Sequence, residues 1–281
     1  MRHVFLQFIL FVLILITARY TTADLTKGLV VYFTFDNVKD KQILDESGNG
    51  LDAKVIENTQ FVMGKYGKAI RITRETEDCV NIPDSHKLKI DDDITMMAWV
   101  YHENWKGRSS QWFDKGIRSK DRHSAYGMAV YDEKDIGGAG WFEDGSGIGI
   151  VLGTGELQHQ QMILVNNTMK DRKWHHIVGT VGDNGVKIYL DGESIVQTLN
   201  ENVNFKGTNK EDLRIGCVKN KPQYAFEGGS IDEVAIWSRV LSEDEIRTAM
   251  RGPLLAVSLK DKVTMTWGNI KRKAFYSKVY N

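Results

Sequence analysis

What most limits how this chain can fold is a succession of short β-branched and aromatic runs, each closed off by glycine, asparagine or aspartate. Leu29–Phe35, Ala69–Thr73, Ile94–Tyr101, Tyr126–Tyr131, His176–Val181, Val186–Leu190, Leu213–Cys217 and Ile231–Trp237 all suit strands. None reaches the length at which a 3.6-residue period becomes persuasive, and many short strands between turn signals define a sandwich or barrel. Asp183-Asn-Gly185 precedes one run and Asp191-Gly192 follows it. Such pairs tolerate the positive φ of tight hairpin turns, so this stretch reads as a meander. One helix is expected, Ser242–Met250, because Ser242 as N-cap with Glu245 three residues on forms a capping box. The fold class is therefore all-β: a two-sheet antiparallel β-sandwich with one short C-terminal helix.

The chain opens Met1-Arg2-His3 and continues in a 13-residue apolar run, Val4–Ile16. That run is shorter than the roughly 20 residues a membrane span needs. It fits the apolar region of a signal peptide, with Thr21-Thr22-Ala23 supplying small residues for cleavage before Asp24. Residues 1–23 are thus expected to be a leader and the protein secreted, with no membrane span after cleavage. Residues 24–252 then form one domain, and 253–281 a basic tail in which Val263, Met265 and Trp267 alternate as one extra edge strand would. The 281 residues carry 37 basic and 37 acidic side chains. Long-range steering needs an excess of one sign, so a nucleic-acid partner is not expected. Two cysteines, Cys79 and Cys217, permit a single disulfide in an oxidising compartment, or two buried thiols.

Several segments together resemble a known family: Tyr32–Asp36, Asp45–Gly50, Gly64–Ala69, Ile94–Val100, Trp174–Val178, Ile188–Gly192, Leu213–Gly216 and Gly229–Trp237 followed by Leu241–Ile246. In that order they are similar to the LamG-like jelly-roll domains of the concanavalin A-like lectin/glucanase superfamily, relatives of laminin G and the pentraxins. The resemblance implies two antiparallel sheets packed face to face. Function it leaves open, since members bind sugars, bind proteins or hydrolyse polysaccharides.

Asp45, Ser47, Asn49 and Gly50 follow the D-x-[DNS]-x-[DN]-G spacing that wraps hard oxygen ligands round one point. The resemblance adds the acidic residue ending the first strand and the aspartate of the Ile-Asp-Glu segment, here Asp36 and Asp232. A structural calcium ion held by Asp36, Asp45, Asn49 and Asp232 is the expectation; the alternative is that these residues cap turns and make ordinary hydrogen bonds. His175 and His176 are neighbours in a strand and point to opposite faces, so they cannot grip one ion together. The resemblance puts Trp174 in the core.

Glycosidases need two carboxylates across the scissile bond. The Glu-x-Asp-x-x-Glu string of laminarinase-type relatives is absent from the sequence, and Glu75–Asp78 and Ile231–Glu233 come nearest. Between Tyr101 and Gly153 the chain interleaves Trp105, Trp112, Trp141 and Phe142 with Asp144 and other charged residues. Aromatic faces stack on sugars while carboxylates take the hydroxyls, so Trp105, Trp112, Trp141 and Asp144 are the candidate ligand residues. The expected function is a secreted, non-catalytic module recognising carbohydrate or an extracellular glycoprotein. A protein-binding adhesive module is the alternative, and a polysaccharide hydrolase the third reading.

Overall fold

A computed structural model describes residues 24–72, 79–104, 109–116, 124–134, 140, 142–143, 145–154, 160–183, 185–196, 205–219, 224–226 and 228–254. Residues 1–23, expected to be a leader, the alternating stretch at Val263–Trp267 and the carboxylates of Glu75–Asp78 lie outside the described residues.

Two antiparallel sheets face each other. In the eight-stranded sheet the order is Glu193–Ser194, Gly185–Leu190, Trp174–Gly182, Ile94–His102, Gly229–Trp237, Lys68–Ile72 and Gln60–Met63, with Leu29–Phe33 also paired to Gly229–Trp237. In the nine-stranded sheet it is Gln160–Asn166, Ser146–Gly153, Tyr126–Asp132, Ser110–Lys115, Leu213–Ile215, Cys79–Ile82, Ala53–Ile56, Gln42–Ile43 and Val38–Lys39. Consecutive hairpin strands in both sheets are joined by long-range pairs, Trp174–Gly182 with Ile94–His102 and Ile94–His102 with Gly229–Trp237 in one, Ser110–Lys115 with Leu213–Ile215 in the other.

The main core lies between the sheets. From one side it takes Val31, Phe33, Ile70, Ile72, Met96, Val100, Ile177 and Ile231; from the other Val80, Ile82, Trp112, Met128, Ile148, Ile150 and Ile215. Alternate residues supply it, as the two-residue side-chain period requires, except where bulges put both Val30 and Val31, and both Trp112 and Phe113, into the core. A second apolar layer, with Tyr32, Met97, Val178, Tyr189, Ala235 and Trp237, covers the outer face of the eight-stranded sheet. There it meets Ile246 and Ala249 of the helix Glu243–Met250. This explains why Gly229–Trp237 is buried along its whole length.

Local chemistry follows the sequence closely. Leu190 pairs with Glu193 across Asp191 and Gly192, whose φ angles of 52° and 85° are those of a two-residue hairpin turn. The helix begins with both halves of its capping box in place: Ser242 Oγ accepts the Glu245 N–H, and Glu245 Oε2 accepts the Ser242 N–H at 2.8 Å. The first strand stops at Phe33 rather than Phe35, because Phe35 turns into the left-handed region at φ 58°. Cys79 and Cys217 form a disulfide between two neighbouring strand ends, with Cα atoms 5.5 Å apart. No helix among the described residues is long and apolar enough to cross a membrane.

Candidate functional site

The glycines of the Gly64–Gly67 turn are required by two carboxylates. Lys68 N–H donates to Asp36 Oδ1 at 2.7 Å, and Tyr66 N–H donates to Asp232 Oδ2 at 3.0 Å. A Cβ on Gly67 would lie 2.2 Å from Asp36 Oδ1, and one on Gly64 would lie 2.5 Å from Asp232 Oδ2. Only a chain without side chains at those two points can bring its amides so near. Asp45 has an equivalent role one loop away: its carboxylate accepts the N–H groups of Tyr32, Ser47 and Leu51 and the Ser47 hydroxyl. Asn49 Nδ2 donates to the Leu29 and Val30 carbonyls at 2.8 and 2.9 Å.

The four calcium-ligand candidates thus divide between two loops. Asp45 and Asn49 fasten the loop after the first strand, and Asp36 and Asp232 hold the Gly64–Lys68 turn. Among the described residues no three His, Cys, Asp or Glu side chains form a group suited to a metal ion. Peptide N–H groups engage both oxygens of Asp45 and Asp232 and one oxygen of Asp36.

At Asp232 and Glu233 the strand bulges: its register against Ile94–His102 shifts between Asp232 and Ala235, and Glu233 has φ 50°. Tyr32 Oη donates to the Glu233 carboxylate and in turn accepts the Leu254 N–H at 3.0 Å. Tyr66 Oη donates to the Met250 carbonyl at 3.0 Å. The two acids and two tyrosines thus anchor the end of the helix to the sheet. Burial pushes the Asp232 carboxyl up to about 8 and that of Glu233 to about 7, the neighbouring acidic charges adding to the effect. The carboxylate pair nearest to a glycosidase signature is therefore sealed beneath the helix end.

The predicted ligand residues fare unevenly. Trp112 is fully buried in the main core and presents no face to a ligand, which corrects its assignment. A large aromatic in a mid-sheet strand contributes more through burial than exposure permits. Trp105, Trp141 and Asp144 lie outside the described residues. Trp174 departs from expectation in the other direction: it is half-buried on the outer face of the eight-stranded sheet, its ring centroid 5.7 Å from that of Tyr101. The histidines do diverge. His175 Nδ1 bonds Asp191 at 2.8 Å, whereas the His176 ring packs 5.1 Å from Trp99, where desolvation drives it down to about 3.

One constellation was not foreseen. Lys54, Asn81, Arg214, Asp114 and Gly127 stand in register on five successive strands of the nine-stranded sheet. Their strand neighbours Val55, Val80, Ile82, Leu213, Ile215 and Phe113 belong to the core, so this row faces away from it. Arg214 Nη1 reaches the Gly116 carbonyl at 3.4 Å, and its Nη2 lies 3.5 Å from Asp212, which also accepts from Asn81 Nδ2 at 3.0 Å. Ser124 Oγ donates to Asp114. Gln111 Nε2 donates to the Phe113 carbonyl at 3.0 Å and would be met at 3.0 Å by a Cβ on Gly127. A planar cation, a carboxylate and two amides are thereby aligned across the middle of a sheet, Lys54 exposed and Asn81 half-buried at one end, Arg214, Asp114 and Gln111 buried. The sequence carried half the signal: Val80-Asn-Ile82 and Leu213-Arg-Ile215 each set a polar residue between two apolar ones. That the two triplets are paired is a fact of topology alone.

A family model described as the concanavalin A-like lectin/glucanases superfamily matches residues 74–247. No curated protein sequence matches the chain. Among solved structures, the binding domain of Paraclostridial Mosquitocidal Protein 1 aligns with a TM-score of 0.59 at 18% identity, over 80% of this chain and 52% of that one. A Trypanosoma rangeli sialidase in complex with sialic acid aligns with a TM-score of 0.58 at 16% identity, over 82% of this chain and 33% of that one. Domain 4 of a GH43 extracellular arabinanase from Geobacillus stearothermophilus, in complex with arabinotriose, aligns with a TM-score of 0.57 at 18% identity, over 80% of this chain and 98% of that one. The chain spans about half of the mosquitocidal-protein structure and a third of the sialidase, but nearly all of the arabinanase domain. At these identities the likeness is one of fold.

Proposed function

The chain belongs to the concanavalin A-like lectin/glucanase superfamily, and from that premise we propose that it is a secreted, non-catalytic module that binds carbohydrate or a glycosylated surface through the polar row on the nine-stranded sheet. The observation that carries this reading is the alignment of the half-buried Asn81 with Arg214 on neighbouring strands, facing away from the core, with the fully buried Asp114 behind Arg214 in the same row. Adjacent sugar hydroxyls need donors and acceptors in fixed planes. Guanidinium and carboxamide groups provide them, and a guanidinium has five N–H donors, more than the partners of Arg214 among the described residues use. The arabinanase domain, solved with a trisaccharide and nearly coextensive with this chain, supports a saccharide as ligand.

Binding without turnover is supported by the role of the acids. Asp232 and Glu233 tie down the helix end, and Asp212 is engaged by Asn81, Arg214 and the Asp84 N–H. The proposed contact is made by side chains of the nine-stranded sheet, without a calcium ion.

The test is a glycan and polysaccharide array probed with the purified chain in calcium and again in EDTA, beside the Arg214→Ala protein. Retention on a saccharide class in both buffers, lost in Arg214→Ala, supports the proposal. Retention abolished by EDTA transfers the contact to a metal. Silence in both buffers overturns carbohydrate binding in favour of a protein partner.

A further inference from the structure

Asn166-Asn167-Thr168 is the one Asn-x-Ser/Thr triplet in the 281 residues, and it falls where the nine-stranded sheet ends. Asn166 is the last residue of Gln160–Asn166, the outermost strand of that sheet, paired on its inner side to Gly147 of Ser146–Gly153. Side chains alternate there. Asn166 and Thr168 are exposed, whereas Asn167 and Met169 turn inward and are buried. The inward residue fixes the geometry: Asn167 N–H and Nδ2 both donate to Ser146, at 3.1 Å each, and Asn167 Oδ1 accepts the Met169 N–H at 3.0 Å. The Asn166 side chain is held through its oxygen, Oδ1 accepting the Glu143 N–H at 3.4 Å. Among the described residues no acceptor takes its Nδ2.

We infer that Asn166 is an N-glycosylation site, modified when the chain passes through a eukaryotic secretory pathway. In the reaction Nδ2 attacks the anomeric carbon of a lipid-pyrophosphate-linked oligosaccharide. The new N–C bond replaces the C–O bond to pyrophosphate, the amide gives up one proton, and the lipid pyrophosphate leaves. The hydroxyl two residues on is part of what the transferase recognises. The folded structure accepts the product without rearrangement, because the amide nitrogen is outside the packing and the oxygen keeps its bond to Glu143. The glycan then stands at the open edge of the sheet, where an unpaired strand otherwise invites another chain to add to it. This inference depends on export and is independent of whether the domain binds saccharides.

The experiment directs the full-length chain into a eukaryotic secretory host with an added leader. The secreted protein is weighed before and after peptide-N-glycosidase. The expected result is loss of one glycan's mass with Asn166 converted to aspartate, no loss from Asn166→Gln or Thr168→Ala, and retained modification in Thr168→Ser. Secreted wild-type protein whose mass the glycosidase leaves unchanged overturns the inference. Asn166→Gln is expected to keep the wild-type melting temperature, so that a missing glycan cannot be mistaken for a failure to fold.

Discussion

Asp36 and Asp232, 196 positions apart by their numbering, hold one five-residue turn, Asp36 at its end through the Lys68 amide and Asp232 at its middle through the Tyr66 amide. The turn has no room for a side chain at either contact. Gly67→Ala meets Asp36 with a Cβ at 2.2 Å and forces a left-handed φ of 55° on alanine. It is expected to cost about 2–4 kcal/mol in urea denaturation, overpacking and backbone strain together. Gly48→Ala, also at positive φ but with nothing near its Cβ, should cost about 1–2 kcal/mol, the backbone strain alone.

A pH dependence follows from the buried acids. The folded-state values of Asp232 and Glu233 are raised, to about 8 and about 7. The native state therefore holds protons that the unfolded chain has released, and their stabilising contribution is fully present below about pH 4. It is lost as pH rises through 7 and 8, with a slope of up to about 1.4 kcal/mol per pH unit for each group. Denaturation midpoints should fall between pH 5 and pH 9, and Glu233→Gln should flatten the part of the slope nearest pH 7. Midpoints that climb over this range would show that the two carboxyls are ionised in the folded protein. Added calcium is expected to leave the wild-type midpoint where it is.

Lys115 is completely buried, its Nζ bonded to Asp84 at 2.7 Å and to the Glu211 carbonyl at 2.6 Å. Burial lowers its pKa and the Asp84 carboxylate opposes that shift. Removing the carboxylate leaves a fully buried cation without its counter-charge, whereas removing the cation leaves a carboxylate that is partly exposed. Asp84→Ala should lose about 3–5 kcal/mol, and Lys115→Met should stay within about 1 kcal/mol of wild type, because Asp84 retains Lys89 at 3.7 Å. Equal losses in the two variants would contradict this account of the pair.

Trp112 and Arg214 separate packing from recognition. Trp112→Ala opens a cavity in the main core and should cost about 3–5 kcal/mol. Trp112→Phe should melt lower yet hold saccharide as tightly as wild type at a temperature where both are folded. Arg214→Lys keeps the charge but loses the planar fork, and is expected to lower saccharide affinity at least tenfold with little change in melting temperature. Affinity that survives Arg214→Lys would remove the polar row from the binding surface.

The sequence disclosed the frame more readily than the faces. The runs at Ile94–Tyr101 and Ile231–Trp237 correspond to the strands Ile94–His102 and Gly229–Trp237, and the capping box located the helix to the residue. The orientation of Trp174 was not legible, because the eight-stranded sheet is covered on both sides where the helix and the Gly64–Lys68 turn pack on it. With Met97 and Val178 as apolar as Met96 and Ile177, alternation does not tell the inner layer from the outer. The aspartates pose a different difficulty. The Asp45–Gly50 spacing shows that a loop wraps round a carboxylate, but a cation and a set of peptide N–H groups demand the same wrapping. What distinguishes them, the Tyr32 amide 13 residues upstream and the Leu51 amide, is supplied by tertiary structure.

The disulfide between Cys79 and Cys217, separated by 138 positions, gives the molecule a particular response to proteases. Every connection from Ile82 to Leu213, including the segments 105–108, 117–123, 155–159 and 197–204, lies inside the covalent ring it closes. A cut in any one of them leaves two polypeptides that still travel as one body, held by sulfur and by the strand pairs on either side. Such a nicked protein would show its two fragments only after reduction, whereas a cut before Cys79 or after Cys217 would release its fragment from the covalent frame at once.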